Sequence, residues 1–374
     1  MNVRLLPEGQ GMGKYTPEVE VGLDRMREMA RGNYDLGWMN SNPEGWGHQA
    51  TAGNTGLGMR DIETGHYGEV PDQGSSRGSM APRGCHIPED TPPALSMYTL
   101  NEKSEVWAEN AATLYDEAVV RQWNSTTDIP WDKLEKLPDD IEKAVCQMCT
   151  GLSEVEFVAG DMPAKWMCRI NHDFHEIKLF LATQIMDEAR HLDVFRKRAL
   201  ANGGGLLMAS PGQEELLAAI LEAPDYTTAS SLMHIFGEGF VLTLFRQGEF
   251  LAPTEVEKRI FRLCMQDEAR HVAYGVKHLK YFLERHPDRE EQVHSILDVG
   301  EQAIFKLTLE PQTSEPRAIL AGGGVENIGL GAARMAFIYE KQVKEYLNRL
   351  KVAGLDRESR LTIPKEIPFD DIAA

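Results

Sequence analysis

The chain has 374 residues, 42% of them hydrophobic, with 58 acidic against 39 basic side chains and a formal net charge of −19. That balance argues against nucleic-acid binding, which needs a basic footprint, and the length admits one large domain with additions or two domains. No run of 18 apolar residues occurs, Met1–Met12 lacks a hydrophobic signal core, and five cysteines are too few for a disulfide framework, so a cytoplasmic protein with no membrane span is expected.

Residues 1–100 are expected to form an irregular arm packed on the rest of the chain or on a neighbouring subunit. From Arg31 to Pro93 they are dense in Gly, Pro, Ser, Asn and Asp, and helical periodicity is confined to a short stretch near 17–30. Trp38, Trp46 and Tyr67 separate this arm from a simply disordered one. Helical patterning starts near Asn101 and predicts helices over about 101–123, 139–160, 167–201, 226–250, 254–285, 288–308 and 327–351. Pro130, Pro138, Pro163, Pro211, Pro224, Pro253 and Pro287 fall between or at the edges of these segments. Gly203–Gly205 ends one helix; Gly322–Gly324 has neither a preceding strand nor a following Lys-Ser/Thr, so it is no phosphate loop. Residues 353–374, with Pro364 and Pro368, read as an extended tail. No segment reads as a strand. The prediction is an all-α fold, with a helical bundle over 101–352.

Within that bundle one five-residue word occurs twice. Asp187-Glu188-Ala189-Arg190-His191 returns 80 positions later as Asp267-Glu268-Ala269-Arg270-His271. Positions three apart share a helix face, so each copy aims a carboxylate and an imidazole at one point. Two such helices, each joined by one more Glu from a neighbouring helix, make the di-iron or di-manganese site of ferritin-like four-helix bundles. Glu238 lies 30 residues before Glu268 and Glu156 lies 32 before Glu188, separations that suit antiparallel helix pairs. Glu156 shares its face with Cys149, Leu152 and Ala159, and an acid in an apolar stripe is costly unless a cation meets it. Glu154, on the opposite side with Gln147, Thr150 and Asp161, is the alternative. Glu291-Gln-Val-His294 repeats the spacing in polar company and reads as a solvated face, and His172-Asp-Phe-His175 has no carboxylate helix to answer it. Cys146-x-x-Cys149 lacks a second pair and reads as two buried thiols.

Over roughly 105–285 the chain resembles the ferritin-like di-iron oxygenases, the group holding the bacterial multicomponent monooxygenase hydroxylases and the aromatic acyl-CoA epoxidases. Glu156-Phe-Val-Ala is similar to that group's Glu-Tyr-x-Ala, and Arg121–Trp131 resembles a segment ahead of its bundle. The resemblance implies two iron ions, or manganese, on Glu156, Glu188, His191, Glu238, Glu268 and His271. It also implies that Asp187 and Asp267 accept hydrogen bonds from the ligand imidazoles, with Arg190 and Arg270 neutralising them. Phe195 stands where a ribonucleotide reductase small subunit has its radical Tyr, which argues against such a radical. Cys264 stands where di-iron arylamine N-oxygenases have an extra His, and Leu242, with Thr243 beside it, where multicomponent monooxygenases have a Thr. His234, one turn before Glu238, is open as a further ligand, a substrate contact or a hydrogen-bonded core residue. Phe157, Phe195, Phe240, Val241 and Phe245 are candidates for a substrate cavity. The expected activity is O2-dependent hydroxylation or epoxidation of a small hydrophobic substrate, with aromatic compounds included in that class. Electrons would come from a separate reductase or ferredoxin, and the chain would act as a homodimer. Iron handling with peroxide scavenging, and N-oxygenation, are the alternatives.

Overall fold

The computed structural model describes residues 15–75, 80–91 and 97–367. The expectations for Met1–Met12, Pro93 and Pro368 lie outside the described residues. The chain divides into two compact units, 1–48 and 49–374. In the first, helix α1 (Pro17–Ala30) starts on a proline at its first position, where a missing N–H costs nothing, and a 3-10 turn follows at Gly37–Asn40.

The second unit opens irregularly, around the short helix α2 (Met59–Ile62), whose first N–H is met by the Asp116 carboxylate at 2.8 Å. Arg83 ties this stretch to the helices by pairing with Glu63 and Glu176. The helices that follow are α3 (Ala111–Val120), α4 (Asp139–Met167), α5 (His175–Ala201), α6 (Pro211–Leu221), α7 (Tyr226–Ser230), α8 (Glu238–Leu251), α9 (Glu255–Arg285), α10 (Glu290–Leu309), α11 (Pro311–Gly322) and α12 (Ile328–Val352). A π-helical segment, Ser231–Gly237, joins α7 to α8 without a break. Among the described residues there are isolated β-bridges but no sheet, so the fold is all-α, as predicted.

Several boundaries differ from the prediction. The first helix shrinks to α3, with a 3-10 turn at Lys103–Glu105 before it. Pro163 lies inside α4, because a proline breaks only its own bond to the carbonyl four residues earlier and its ring is buried in the core. Residues 168–174 are a turn and a 3-10 piece capped by Asn171, so α5 starts at His175. Helices α6 and α11 were not predicted; both begin with proline at the first position.

Four helices form the core: α4 packs along α5, α8 along α9, and α5 meets α9. Short connections make each pair antiparallel. At one end Arg198 of α5 pairs with Glu142 of α4 and Glu257 of α9, pinning three helices through one buried guanidinium. The helix Tyr226–Leu251 is long and apolar enough to cross a membrane, but 83% of its most apolar stretch is buried inside the protein, which marks it as a core helix. Two of the apolar clusters of the core flank the middle of the four helices. One gathers Ala159, Met162, Phe180, Leu181, Met233 and Tyr274, the other Cys149, Leu152, Val194, Phe195, Phe245 and Cys264. On each of the four helices the acidic residues singled out above fall between these clusters.

Residues 353–367 form no helix. Arg357 folds back onto α10, where it meets Glu301, Asp298 and His294. This corrects one expectation: Glu291 is exposed, but His294 is only 2% exposed, because this segment covers the face read as solvated.

Candidate metal centre

The helices bring Glu156, Glu188, His191, Glu238, Glu268 and His271 into one buried cluster. The His191 Nδ1 atom lies 3.1 Å from Glu188 Oε2, 3.3 Å from Glu268 Oε1 and 3.9 Å from Glu156 Oε2. The His271 Nδ1 atom lies 3.0 Å from Glu188 Oε1, 3.4 Å from Glu268 Oε2 and 3.6 Å from Glu238 Oε1. Glu188 and Glu268 therefore turn one oxygen to each imidazole, while Glu156 belongs to the His191 side and Glu238 to the His271 side. Two four-residue ligand groups result, sharing the two central glutamates. Glu154 is outside the cluster; it accepts a hydrogen bond from Gln213 at 2.6 Å.

These residues fit a pair of divalent cations better than they fit one another. Glu156 Oε1, Glu188 Oε1, Glu238 Oε2, Glu268 Oε2 and His271 Nδ1 are buried without a hydrogen-bond partner. His271 Nδ1 and Glu188 Oε1 come within 3.0 Å, yet they are not aligned as a hydrogen bond. Buried polar atoms are almost always satisfied, and so many orphans converging on one place need a positive charge between them. Protonation is the alternative response. Burial pushes the Glu156 carboxyl well above the usual carboxylate range and Glu238 up to about 8. Burial also opposes a charged His271, but Glu188 and Glu238 outweigh it and raise that pKa. Two divalent ions would neutralise the four carboxylates and leave both imidazoles free to bind through Nδ1. A thiol-poor, carboxylate-rich set of this kind suits iron or manganese.

Around the cluster runs a closed ring of charge. His191 Nε2 faces Asp267 Oδ2 at 3.2 Å, and His271 Nε2 faces Asp187 Oδ2 at 3.3 Å, so each imidazole uses the aspartate of the other word. Arg270 donates to Asp187 at 2.8 Å and to Asp267 at 2.6 Å; Arg190 donates to Asp267 at 3.1 Å and also pairs with Asp187. Burial raises the cost of ionised Asp267, but His191 and Arg270 outweigh it and hold its pKa below the ordinary value.

Sequence reasoning missed other members. Trp123 Nε1 donates to Asp267 Oδ2 at 2.7 Å and its ring stacks near His191. Trp123 falls in the stretch singled out by resemblance, which was the available signal. Gln184 Nε2 donates to Glu238 Oε1 at 3.0 Å, which leaves its Oε1 to accept from His234 Nε2 at 3.2 Å. His234 Nδ1 then accepts from Ser230 Oγ at 2.8 Å, so both ring nitrogens are engaged and burial keeps the ring neutral. His234 is a hydrogen-bonded core residue linked to Glu238 through Gln184. The Thr243 hydroxyl is committed to Glu345 at 2.6 Å. Burial pushes the Cys264 thiol up to about 12, against a smaller opposing pull from His191.

An apolar cavity of about 100 Å³ adjoins Glu238, between α4, α6, α8, α10 and α11. Phe240 and Val241 line it. Phe195 and Phe245 do not; they pack on each other in the core at 5.7 Å between ring centroids. Phe157 does not either: one residue past Glu156 it turns to the outside of α4 and is 55% exposed. A second buried and half-buried group, Glu63, His175 and Glu176, already holds a cation in Arg83. His172 hydrogen-bonds the Tyr98 hydroxyl.

The sequence matches no protein-family model and no curated protein. Its structure is similar to solved structures of R2-like ligand-binding oxidase. One, a variant with an aerobically reconstituted Fe/Fe cofactor, is 18% identical with a TM-score of 0.53. A second variant, with an anaerobically reconstituted Mn/Fe cofactor, is 17% identical with a TM-score of 0.53. Both likenesses cover 67% of this chain and 95% of the other. The chain has the ferritin-like helical-bundle fold.

Proposed function

We propose that the protein is an O2-dependent di-metal oxidase, with iron at Glu156, Glu188, His191, Glu238, Glu268 and His271, or manganese in place of an iron. The observation that carries this reading is the convergence of four buried glutamates and two imidazoles, with one oxygen of each glutamate and the His271 Nδ1 atom left without a hydrogen-bond partner. The solved structures that resemble the chain carry Fe/Fe and Mn/Fe cofactors, which supports the same reading. A reduced metal pair supplies O2 binding and reduction. Asp187 and Asp267 hold each imidazole by its Nε2–H, so that Nδ1 is kept for ligation. Gln184 fixes Glu238, and the two flanking apolar clusters exclude water from the site. The cavity beside Glu238 takes a small hydrophobic substrate for hydroxylation or epoxidation. No flavin or nicotinamide fingerprint occurs in the sequence, so the electrons come from a separate reductase.

The test is anaerobic titration of metal-free protein with Fe(II), followed by exposure to O2. Saturation at two ions per chain, matching the two ligand groups, with O2 consumption lost in Glu188→Ala and His271→Ala, is the expected result. Continued uptake of many irons per chain, with featureless ferric absorbance, would overturn it in favour of iron storage.

A further inference from the structure

Arg317 has no partner among the described residues. It lies on α11, lines the cavity beside Glu238, and makes no hydrogen bond or ion pair with any described residue. Its side chain keeps some solvent contact, but protein crowds its guanidinium, and burial alone lowers its pKa to about 10. Arg198 and Arg357 are enclosed but matched, the first by Glu142 and Glu257, the second by Glu301 and Asp298; Arg349, whose Nε and Nη2 also lack a hydrogen-bond partner, lies outside the lining of this cavity. An enclosed guanidinium without an anion is costly, and only Arg317 and Glu238 are charged in the lining of this cavity.

The lining is otherwise apolar, and its amides are largely in use. Gln213 Nε2 donates to Gly151 O and Glu154, Gln342 Nε2 to Phe240 O, and Gln147 exchanges two bonds with the Met208 backbone. Few donors are left for a second negative charge. A guanidinium presents a planar fork that matches a carboxylate in two parallel hydrogen bonds. One cation with apolar walls suits a monoanion, whereas a phosphate dianion would need further donors. The space is on the order of what one small ring requires.

We infer that this cavity binds a small carboxylic acid with an apolar body, its carboxylate paired to Arg317 and its body lying against the apolar wall that leads to Glu238. The inference deepens the oxidase reading, on which it rests for the role of the acid as substrate. Binding itself does not depend on bound metal, since the anion's partner is a side chain.

The experiment compares benzoate with benzamide, and hexanoate with hexanamide, as ligands of the full-length metal-free protein by calorimetry. Each acid is expected to bind at least tenfold more tightly than its amide. Arg317→Met, which removes an unmatched charge and keeps the side-chain length, is expected to melt no lower than the parent and to abolish that preference; Arg317→Lys restores part of it. Equal binding of acid and amide to the parent protein overturns the inference without any variant, and so does an undiminished preference in Arg317→Met. If the metal-loaded protein oxidises neutral compounds but binds no acid, the oxidase reading stands and this inference falls. Arg317-dependent acid binding with no O2 consumption leaves the site standing and removes the oxidase reading.

Discussion

His191 Nε2 meets Asp267 Oδ2 at 3.2 Å, across 76 residues of sequence and between two different helices. The mirror contact joins His271 to Asp187 at 3.3 Å. Each imidazole is thus held by the opposite word, and the two halves of the site cannot be positioned independently. The two arginines close the ring, so its two negative and two positive charges cancel within a water-poor interior.

The crossing makes a directional prediction. Asp267→Asn should disturb the site on the Glu156 side, through His191, and Asp187→Asn the site on the Glu238 side, through His271. Loss of such an outer partner typically lowers metal affinity about 10–100-fold. Mössbauer spectra of iron-loaded variants should show one of two iron signals shifted in each case, and a different one in each. The same signal moving in both variants would mean that the crossed contacts do not govern ligation.

Much of this centre was legible because its chemistry is local. Glu188 with His191, and Glu268 with His271, need only helical spacing, and Glu156 announced itself as an acid in an apolar stripe. The crossing was not legible, since nothing within one word says which aspartate its histidine will find. The π segment before Glu238 was also hidden. A seven-residue change of helical register leaves no mark on composition; Ile235, within that segment, packs with Phe236 and Leu279, whereas Phe245 packs with Phe195 and Phe261. Helices α6 and α11 were lost because each opens on a proline, Pro211 and Pro311, although proline at a first position starts a helix. Phe157 shows the limit of a motif: its neighbour Glu156 is buried, and one step of about 100° turns it to the outside.

Glu156 and Glu154 can be separated directly. Glu156→Gln removes an orphaned inward oxygen and should lower Fe(II) loading. Glu154→Gln should leave loading unchanged, because that carboxylate is held by Gln213 outside the cluster. Iron content after anaerobic loading and desalting decides this, and loss of iron in Glu154→Gln alone would reverse the ligand assignment.

Gly275 of α9 sets how closely the π segment approaches. A Cβ built there would lie 2.3 Å from the Cβ of His234, so neither backbone can keep its place. Gly275→Ala should cost about 1–3 kcal/mol, the usual range for overpacking, and should loosen the Gln184–Glu238 contact that depends on His234. Urea denaturation is the check. An unchanged midpoint would show that the two segments separate freely.

His278 gives a pH signature outside the metal cluster. It is 1% exposed, with Nδ1 donating to Trp107 O at 3.2 Å and Nε2 accepting from Thr227 Oγ1 at 3.2 Å. Burial lowers its pKa from 6.5 to about 4, against smaller opposing effects from Trp107 and Asp225. The ring folds neutral, so below 6.5 the unfolded chain binds a proton that the folded chain refuses. Its contribution is therefore complete above pH 6.5 and is lost as the pH falls towards 4. At 1.36 kcal/mol per pKa unit the loss reaches about 3 kcal/mol at most. Metal-free protein should lose stability through this window, and His278→Gln, which keeps a donor and an acceptor but cannot titrate, should lose less. Parallel slopes for the two proteins between pH 6.5 and 4 would mean that His278 is already protonated in the fold.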